Sequence, residues 1–452
     1  MRRSAGIRRI PFCSSSEERR DAELCLVTGY RLGLLWFALS PLAAEEDPTD
    51  VLIRLRDQVN EHAQRIPNHI CVETIQRDRF EPTRTAPRSC DSLLARRRKA
   101  GPGALLKAGT MDRIRLDVAL TEGGEIYSWP GANTFTSRDE DVFRLVSTGS
   151  MGTGPFAGLL VSIFHPSHSR FLYDGDTTVG GRTLMQFSFT VPREQSDYKA
   201  KTPGGWWTTG YTGTLLVEPH TATLVRLSIR TDELPAETSV CEVDTTLDYS
   251  TVQLGGLGYL LPSATHQRFI SPDGSEADNG ITFTACKEYA GEAALAGMRP
   301  KIEASHLPVG LPVTVELTTD VDLDRAAAGD SIRGRLSDAV VDGEHRTLIP
   351  AGAVLSGRLM RVETRYTVPL TVIVVLRWES IDIKGVQSLI SLRPVRPHRG
   401  EFSFSLGGIG KKGREVDELL VGEERYAIFR FHGDHPVMKN GPRSEWLTAE
   451  AR

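Results

Sequence analysis

The chain has 452 residues, of which 40% are hydrophobic and 25% charged. That is enough apolar material for two or three folded domains, and too balanced a mixture for a disordered chain. Lysine and arginine number 54 against 58 acidic residues, so no net positive field draws the chain to nucleic acid, and no run of eighteen apolar residues offers an ordinary membrane-spanning helix.

Residues 32–44 are uncharged, with Arg31 before them and Glu45 and Glu46 behind. A cation, a short apolar stretch and small residues ahead of an acidic start describe a secretory signal peptide, too short to anchor the chain in a bilayer. The polar, arginine-rich residues 1–30 make this leader over-long and place the expected translation start near Val27. Cys13 and Cys25 fall in the leader, which leaves Cys71, Cys90, Cys241 and Cys286. An even count in an exported chain suggests two disulfides, the alternative being four free buried thiols. Of the three pairings available, that of sequence neighbours is expected, Cys71 with Cys90 and Cys241 with Cys286. No two cysteines stand at zinc-ligand spacing.

Leu52, Leu55, Val59, Ala63 and Ile66 recur at helical spacing, with Thr49 or Asp50 to cap the helix and Pro67 to stop it. Residues 69–80 read as a strand. The Pro- and Arg-rich stretch to residue 103 contains Arg96, Arg97, Arg98 and Lys99, a run that suits either a phosphate-binding patch or a solvated loop. The lack of interleaved aromatics favours the loop. Farther on, Ile114, Leu116, Val118 and Leu120 alternate with polar neighbours, as do Met185, Phe187, Phe189 and Val191. Val225, Leu227 and Ile229, then Ile281 and Phe283, repeat the pattern, which is that of an antiparallel sheet with one wet face.

Two helices interrupt these strands. Ser137 and Glu140 form a capping box before Val142. Residues 149–154 are glycine-rich and lead into Pro155, after which Phe156, Leu159, Leu160, Ile163 and Phe164 make one apolar stripe. Read as a hinge, the glycines suit a helix that lids a cavity; the same stripe also suits simple core packing. Trp206 and Trp207, close to Tyr211, form either a binding platform or a packed hairpin.

Three prolines between 300 and 312 mark a linker. Beyond it the alternation of Val313, Val315 and Leu317 and the apolar run 372–376 describe a small barrel of SH3-like size over 313–397, followed by a β-rich extension over 398–452. The chemistry-bearing motifs fail one by one. Asp320, Asp322 and Asp324 open a calcium loop, but Arg325 and Ser331 stand where Gly and Glu are needed. His165 with His168, and His432 with His435, lie in turns rather than on a zinc-binding helix. Residues 407–413 lack the Walker spacing, and no Gly-x-Ser-x-Gly elbow is present. The chain therefore reads as non-enzymatic, without metal or cofactor.

Segments 154–164, 215–226 and 259–262, with Asn279, Phe283 and Tyr289 and the placing of Cys71 and Cys90, resemble a group of exported acidobacterial proteins. The pattern Pro219-x-Thr221-x-x-Leu224-Val225-Arg226 also resembles the outer-membrane lipoprotein carrier (LolA-like) superfamily, over roughly residues 50–295. That resemblance implies an antiparallel half-barrel sheet around a lipid-accepting cavity, with helices covering its concave side. The disulfides and the appended domain depart from a plain carrier. Residues 307–310 and 349–357 are similar to barrel domains of bacterial envelope proteins. The expected fold is mainly β: a leader over 1–44, an α+β half-barrel over 45–299, the linker over 300–312, the small barrel and its extension. The expected function is that of a periplasmic or secreted binder of a lipid or lipoprotein acyl chain, with no integral membrane segment once the leader is cleaved. Its pocket is expected to be lined by Phe156, Leu159, Leu160, Ile163, Phe164, Trp206 and Trp207. The alternative is an envelope scaffold whose barrel docks a protein partner.

Overall fold

A computed structural model describes residues 46–452 except 88, 102–104, 122–123, 133, 137–141, 147, 153–157, 166–168, 233, 292–301, 304–306, 396–402, 407–424, 434–435, 442 and 451–452. The expected leader, the 137–140 capping box, Phe156, His168, His435 and the 407–413 glycines lie outside the described residues. Helix α1 (Pro48–Arg65) starts where the Asp47 carboxylate accepts a hydrogen bond from Thr49 N at 2.7 Å, so Asp47 rather than Thr49 or Asp50 is the cap. Its buried face is Val51, Leu55 and Val59.

The first half of the chain then builds an antiparallel meander. Its strands are β1 (His69–Pro82), β2 (Leu106–Thr121), β3 (Gly124–Ser128), β4 (Arg170–Val179), β5 (Arg182–Val191), the separate hairpin β6 (Lys199–Thr202) and β7 (Gly205–Thr208), β8 (Tyr211–Glu218), β9 (Thr223–Thr231), β10 (Glu242–Leu254), β11 (Leu257–Ile270) and β12 (Glu276–Glu288). Pairing runs β4-β5-β8-β9-β10-β11-β12-β1-β2-β3, every pair antiparallel. The alternation of the sequence sorts the two faces. Outward positions of β9, β10 and β11 carry an ionic ladder in which Arg226 meets Asp248 at 2.6 Å while Arg230 and Arg268 each meet Asp244 at 2.7 Å. Inward positions bury Leu227, Ile229, Leu247 and Tyr249 against α1 and against α4 (Gly158–Phe164). β4 is the outermost strand described. Asp174 is an extra residue in it, and its carboxylate accepts from Ser188 Oγ at 3.0 Å.

The disulfides join Cys71 to Cys286 and Cys90 to Cys241, which corrects the neighbour pairing. The reason is topological. β1 pairs with β12, so Val72 stands opposite Thr284 and Ile70 opposite Lys287, and the bulge between them sets Cys71 beside Cys286. The stretch read as a solvated loop is in part helix α2 (Cys90–Ala100), capped where Ser89 Oγ accepts from Ser92 N. Leu93 of α2 packs with Cys241 and Ile270. A helix with so few apolar residues shows no periodicity, yet its Leu, Ala, Arg and Lys are all good helix formers.

The second half supplies β13 (Pro312–Leu317), β14 (Val321–Asp322), β15 (Ser331–Leu336), β16 (Val340–Val341), β17 (Thr347–Ile349), β18 (Val354–Arg365), β19 (Thr371–Ile383), β20 (Val386–Leu389), β21 (Leu392–Pro394), β22 (Ser403–Leu406), β23 (Ala427–His432), β24 (Val437–Met438) and β25 (Arg443–Thr448). β23 pairs with the apolar strand β19, and β25 with β13 and β21. β23, β24 and β25 thus contribute to this half's core: Trp446 of β25 and Trp378 of β19 meet edge to face, with ring centres 6.4 Å apart. The two halves share one continuous sheet, because β18 pairs with β2, Glu363 opposite Asp112. Residues 46–452 form one compact unit.

Candidate functional site

A cavity of about 870 Å³ lies between the inner face of the first-half sheet and the elements that cover it. Five consecutive strands supply the floor. Tyr211 of β8, Ile229 of β9, Leu247 of β10, Gln267 of β11 and Ile281 of β12 all line it, each at an inward position of its strand. The cover comes from Leu159 and Ser162 of α4, from Phe143 of the short helix α3 (Val142–Leu145), from residues 149–152 and from the β6–β7 hairpin. At the rim Trp206 is 38% exposed, its ring centre 6.1 Å from that of Phe143, and the Lys201 ammonium lies 4.6 Å above the Phe143 ring.

Polar side chains share the lining with the apolar ones. Ser162 Oγ donates to Asp197 at 3.0 Å. Burial pushes the Tyr211 phenol up to about 12, with the Ser162 hydroxyl opposing and the Asp197 carboxylate adding to the shift, so Tyr211 stays neutral. The Thr265 hydroxyl is buried on the floor and has no hydrogen-bond partner among the described residues. On β1, inside the neighbouring apolar cluster, Glu73 is 2% exposed; desolvation, and then the Glu125 carboxylate, raise it to about 8. Glu73 is therefore a protonated acid at neutral pH.

A row of polar side chains, buried except for the half-buried Asp112, crosses the inner face in register. Thr245 stands opposite Gln267, Gln267 opposite Asn279, Asn279 opposite Arg77, and Arg77 opposite Asp112. Three of these hold the covering loop by its backbone. Arg77 Nη1 donates to Thr148 O at 2.5 Å, Asn279 Nδ2 donates to Ser150 O at 2.8 Å, and Gly152 N donates to Gln267 Oε1 at 3.2 Å. Arg77 keeps its charge paired, with Nε 2.8 Å from Asp112. This grip also explains two glycines. A Cβ on Gly149 would sit 2.6 Å from Arg77 Nη1, and one on Gly152 would overlap the Gln267 amide. Close approach, rather than freedom to hinge, requires glycine there.

Of the residues expected to line a pocket, Leu159 and Trp206 line this cavity. Leu160, Ile163 and Phe164 turn the other way and pack with Val51, Leu55 and Phe187 in the core. Trp207 lies outside the lining and stacks under the Arg193 guanidinium, 3.7 Å from its ring centre. The strand residues of the floor were missed by a reading that followed apolar stripes. Gln267 and Asn279 carried a signal all the same, being amides at inward positions of strands that otherwise alternate. Among the described residues no set of His, Cys, Asp and Glu is placed to hold a metal ion, and no helix is long and apolar enough to cross a membrane.

No family model matches the chain, and no curated protein matches it. Among solved structures it is similar to a DUF1329 family protein from Desulfovibrio piger, at 10% identity and a TM-score of 0.25, over 54% of this chain and 95% of that one. It is similar to a LolA superfamily protein from Nitrosomonas europaea at 8% identity and a TM-score of 0.24, over 54% of this chain and 94% of that one. It is also similar to a domain from Vibrio parahaemolyticus described as an outer membrane lipoprotein-sorting protein, at 9% identity and a TM-score of 0.26, over 53% of this chain and 93% of that one.

Proposed function

We propose that the protein binds an apolar or amphipathic ligand, a lipid or a lipoprotein acyl chain, in the cavity of the first-half sheet, outside the cytoplasm. The observation that carries this reading is the cavity itself. Protein interiors are close-packed, and a space of about 870 Å³ between a sheet and its cover is of the size that holds a small molecule. Its walls combine aliphatic and aromatic side chains with hydroxyl, amide and charged ones, and its rim carries a half-open tryptophan beside a lysine, which suits a ligand apolar at one end and wet at the other. Two disulfides support a compartment that lets them persist. Titration with a fluorescent fatty acid, followed by displacement with unlabelled fatty acid, tests the proposal. Saturable, displaceable binding that weakens about tenfold in Trp206→Ala is expected, and non-saturable binding rejects it.

The second half offers another reading, a docking role in the envelope. Tyr366 and Val368 stand exposed on the turn between β18 and β19, Val368 fully so. On that reading the wild type binds no fatty acid, and Val368→Asp abolishes association with isolated envelopes.

A further inference from the structure

Arg96, Arg97, Arg98 and Lys99 follow one another on α2, and the structure separates their roles. Arg97 is largely covered, with Nε 3.0 Å from Glu276 and Nη2 donating to Gly274 O at 2.6 Å. Arg98 meets Glu242 at 3.3 Å. Arg96 and Lys99, three residues apart and so on one side of the helix, instead line a pocket of about 660 Å³ together with Arg84 from the chain beyond β1. Thr85, Ala100 and Leu105 join the lining, which among the described residues contains three cations and no carboxylate. Among the described residues none of the three cations has an ion-pair partner, and Arg96 commits only Nη1, to Thr85 O at 3.1 Å.

Such a cluster repels itself, and ordinary surfaces relieve the repulsion by letting long side chains drift apart in water. Here the element that carries two of them is held at both ends. The Cys90–Cys241 disulfide and Leu93 fix its first turn, and the Arg97–Glu276 pair fixes its last. Apolar packing alone would not hold this helix, since Leu93 is its one buried residue. A covalent and an ionic anchor therefore hold two of the cations on a fixed helix beside the third, which is an arrangement that favours a multiply charged oxyanion.

We propose that Arg84, Arg96 and Lys99 form a binding site for a phosphate group. The site shares no lining residue with the apolar cavity and does not depend on its occupant. The guanidinium forks supply paired donors to phosphate oxygens, and the lysine adds a mobile point charge. The bearer of the phosphate is either a small soluble phosphate or a phospholipid headgroup at a membrane surface.

The full chain is titrated calorimetrically at low salt with inorganic phosphate and pyrophosphate. In parallel it is floated with phosphatidylcholine vesicles that do or do not contain phosphatidylglycerol. The variants are Arg96→Glu with Lys99→Glu and, as a control matched in net charge, Arg170→Glu with Arg182→Glu, two exposed arginines at the starts of β4 and β5. The double variant is expected to lose at least tenfold in affinity, and the control to stay within twofold. Loss seen with free phosphate assigns a soluble phosphate; loss seen only with the anionic vesicles assigns a headgroup, and either result supports the site. Absence of saturable binding to both probes overturns it, as does an undiminished double variant or an equal loss in the control. Should the double variant misfold by circular dichroism, Arg84→Gln and Lys99→Gln, both at exposed positions, carry the same expectation.

Discussion

Gln267 and Asn279 stand opposite each other on β11 and β12, and each holds one backbone group of the same loop: Gln267 Oε1 accepts from Gly152 N, and Asn279 Nδ2 donates to Ser150 O. The loop that roofs one side of the cavity is thus tied to the cavity floor by amides that would otherwise be buried without partners. A buried polar group left unsatisfied costs about 1–3 kcal/mol, so this tie is worth most when every member is present.

Substitution of Gly149 tests the tie. Alanine there must adopt φ near +82° and push against Arg77 Nη1, so Gly149→Ala should destabilise the chain by about 1–3 kcal/mol in urea denaturation. Gly158 is the contrast. It lies in α4 with open space around its Cα, and Gly158→Ala should be neutral or stabilise by up to about 1 kcal/mol.

Two adjacent leucines of α4 should respond in opposite ways. Leu160 is 7% exposed in the core cluster, and Leu160→Asp buries an unpaired carboxyl, so loss of several kcal/mol, about 3–5, is expected by thermal or urea unfolding. Leu159 borders the cavity and only partly packs on that core, so Leu159→Asp should cost clearly less stability than Leu160→Asp and weaken fatty-acid binding about tenfold.

Peptide mapping without reductant should recover Cys71 linked to Cys286 and Cys90 linked to Cys241. Each bridge closes a long stretch of chain, 215 and 151 residues in sequence separation. On the chain-entropy account either one alone is worth about 5 kcal/mol, and the second less because its loop lies inside the first. Cys90→Ala with Cys241→Ala should lower stability while the remaining bridge still forms.

Glu73 gives the chain a pH dependence of definite sign. Its pKa is about 8 in the folded chain against 4.5 when unfolded, so between these values the native state holds one more proton. The stabilisation is complete below about pH 4.5 and is lost as pH rises through about 8, at up to about 1.4 kcal/mol per pH unit. Glu73→Gln should flatten this slope in denaturation series run from pH 5 to pH 9, and a slope that persists in the variant belongs to another group.

The two-faced strands were legible in the sequence because alternation is a local property. Ile114, Leu116 and Val118 read as β2 from their own neighbours and no others. The disulfides were not legible in that way, since the partner of Cys71 depends on β1 closing beside β12 at the far end of the meander. Helix α2 escaped because its fixation is ionic and covalent, and an apolar period is silent about both. The cavity was half legible. The stripe on α4 pointed to a buried helix, but which of its leucines meets the void and which the core depends on a sheet face assembled from five strands.

The extra residue in β4 bears on how the molecule avoids its own copies. A strand with one side unpaired is a template on which a second chain can grow. Asp174 puts the two parts of β4 one residue out of step, so a straight newcomer could match Arg170–Tyr173 or Gly175–Val179 but not both at once. With carboxylates at Asp174 and Asp176 beside the break, a docking strand would have to bury charge as well as bend. The break and its two carboxylates thus make these ten residues at the margin of the sheet a poor template for a second copy.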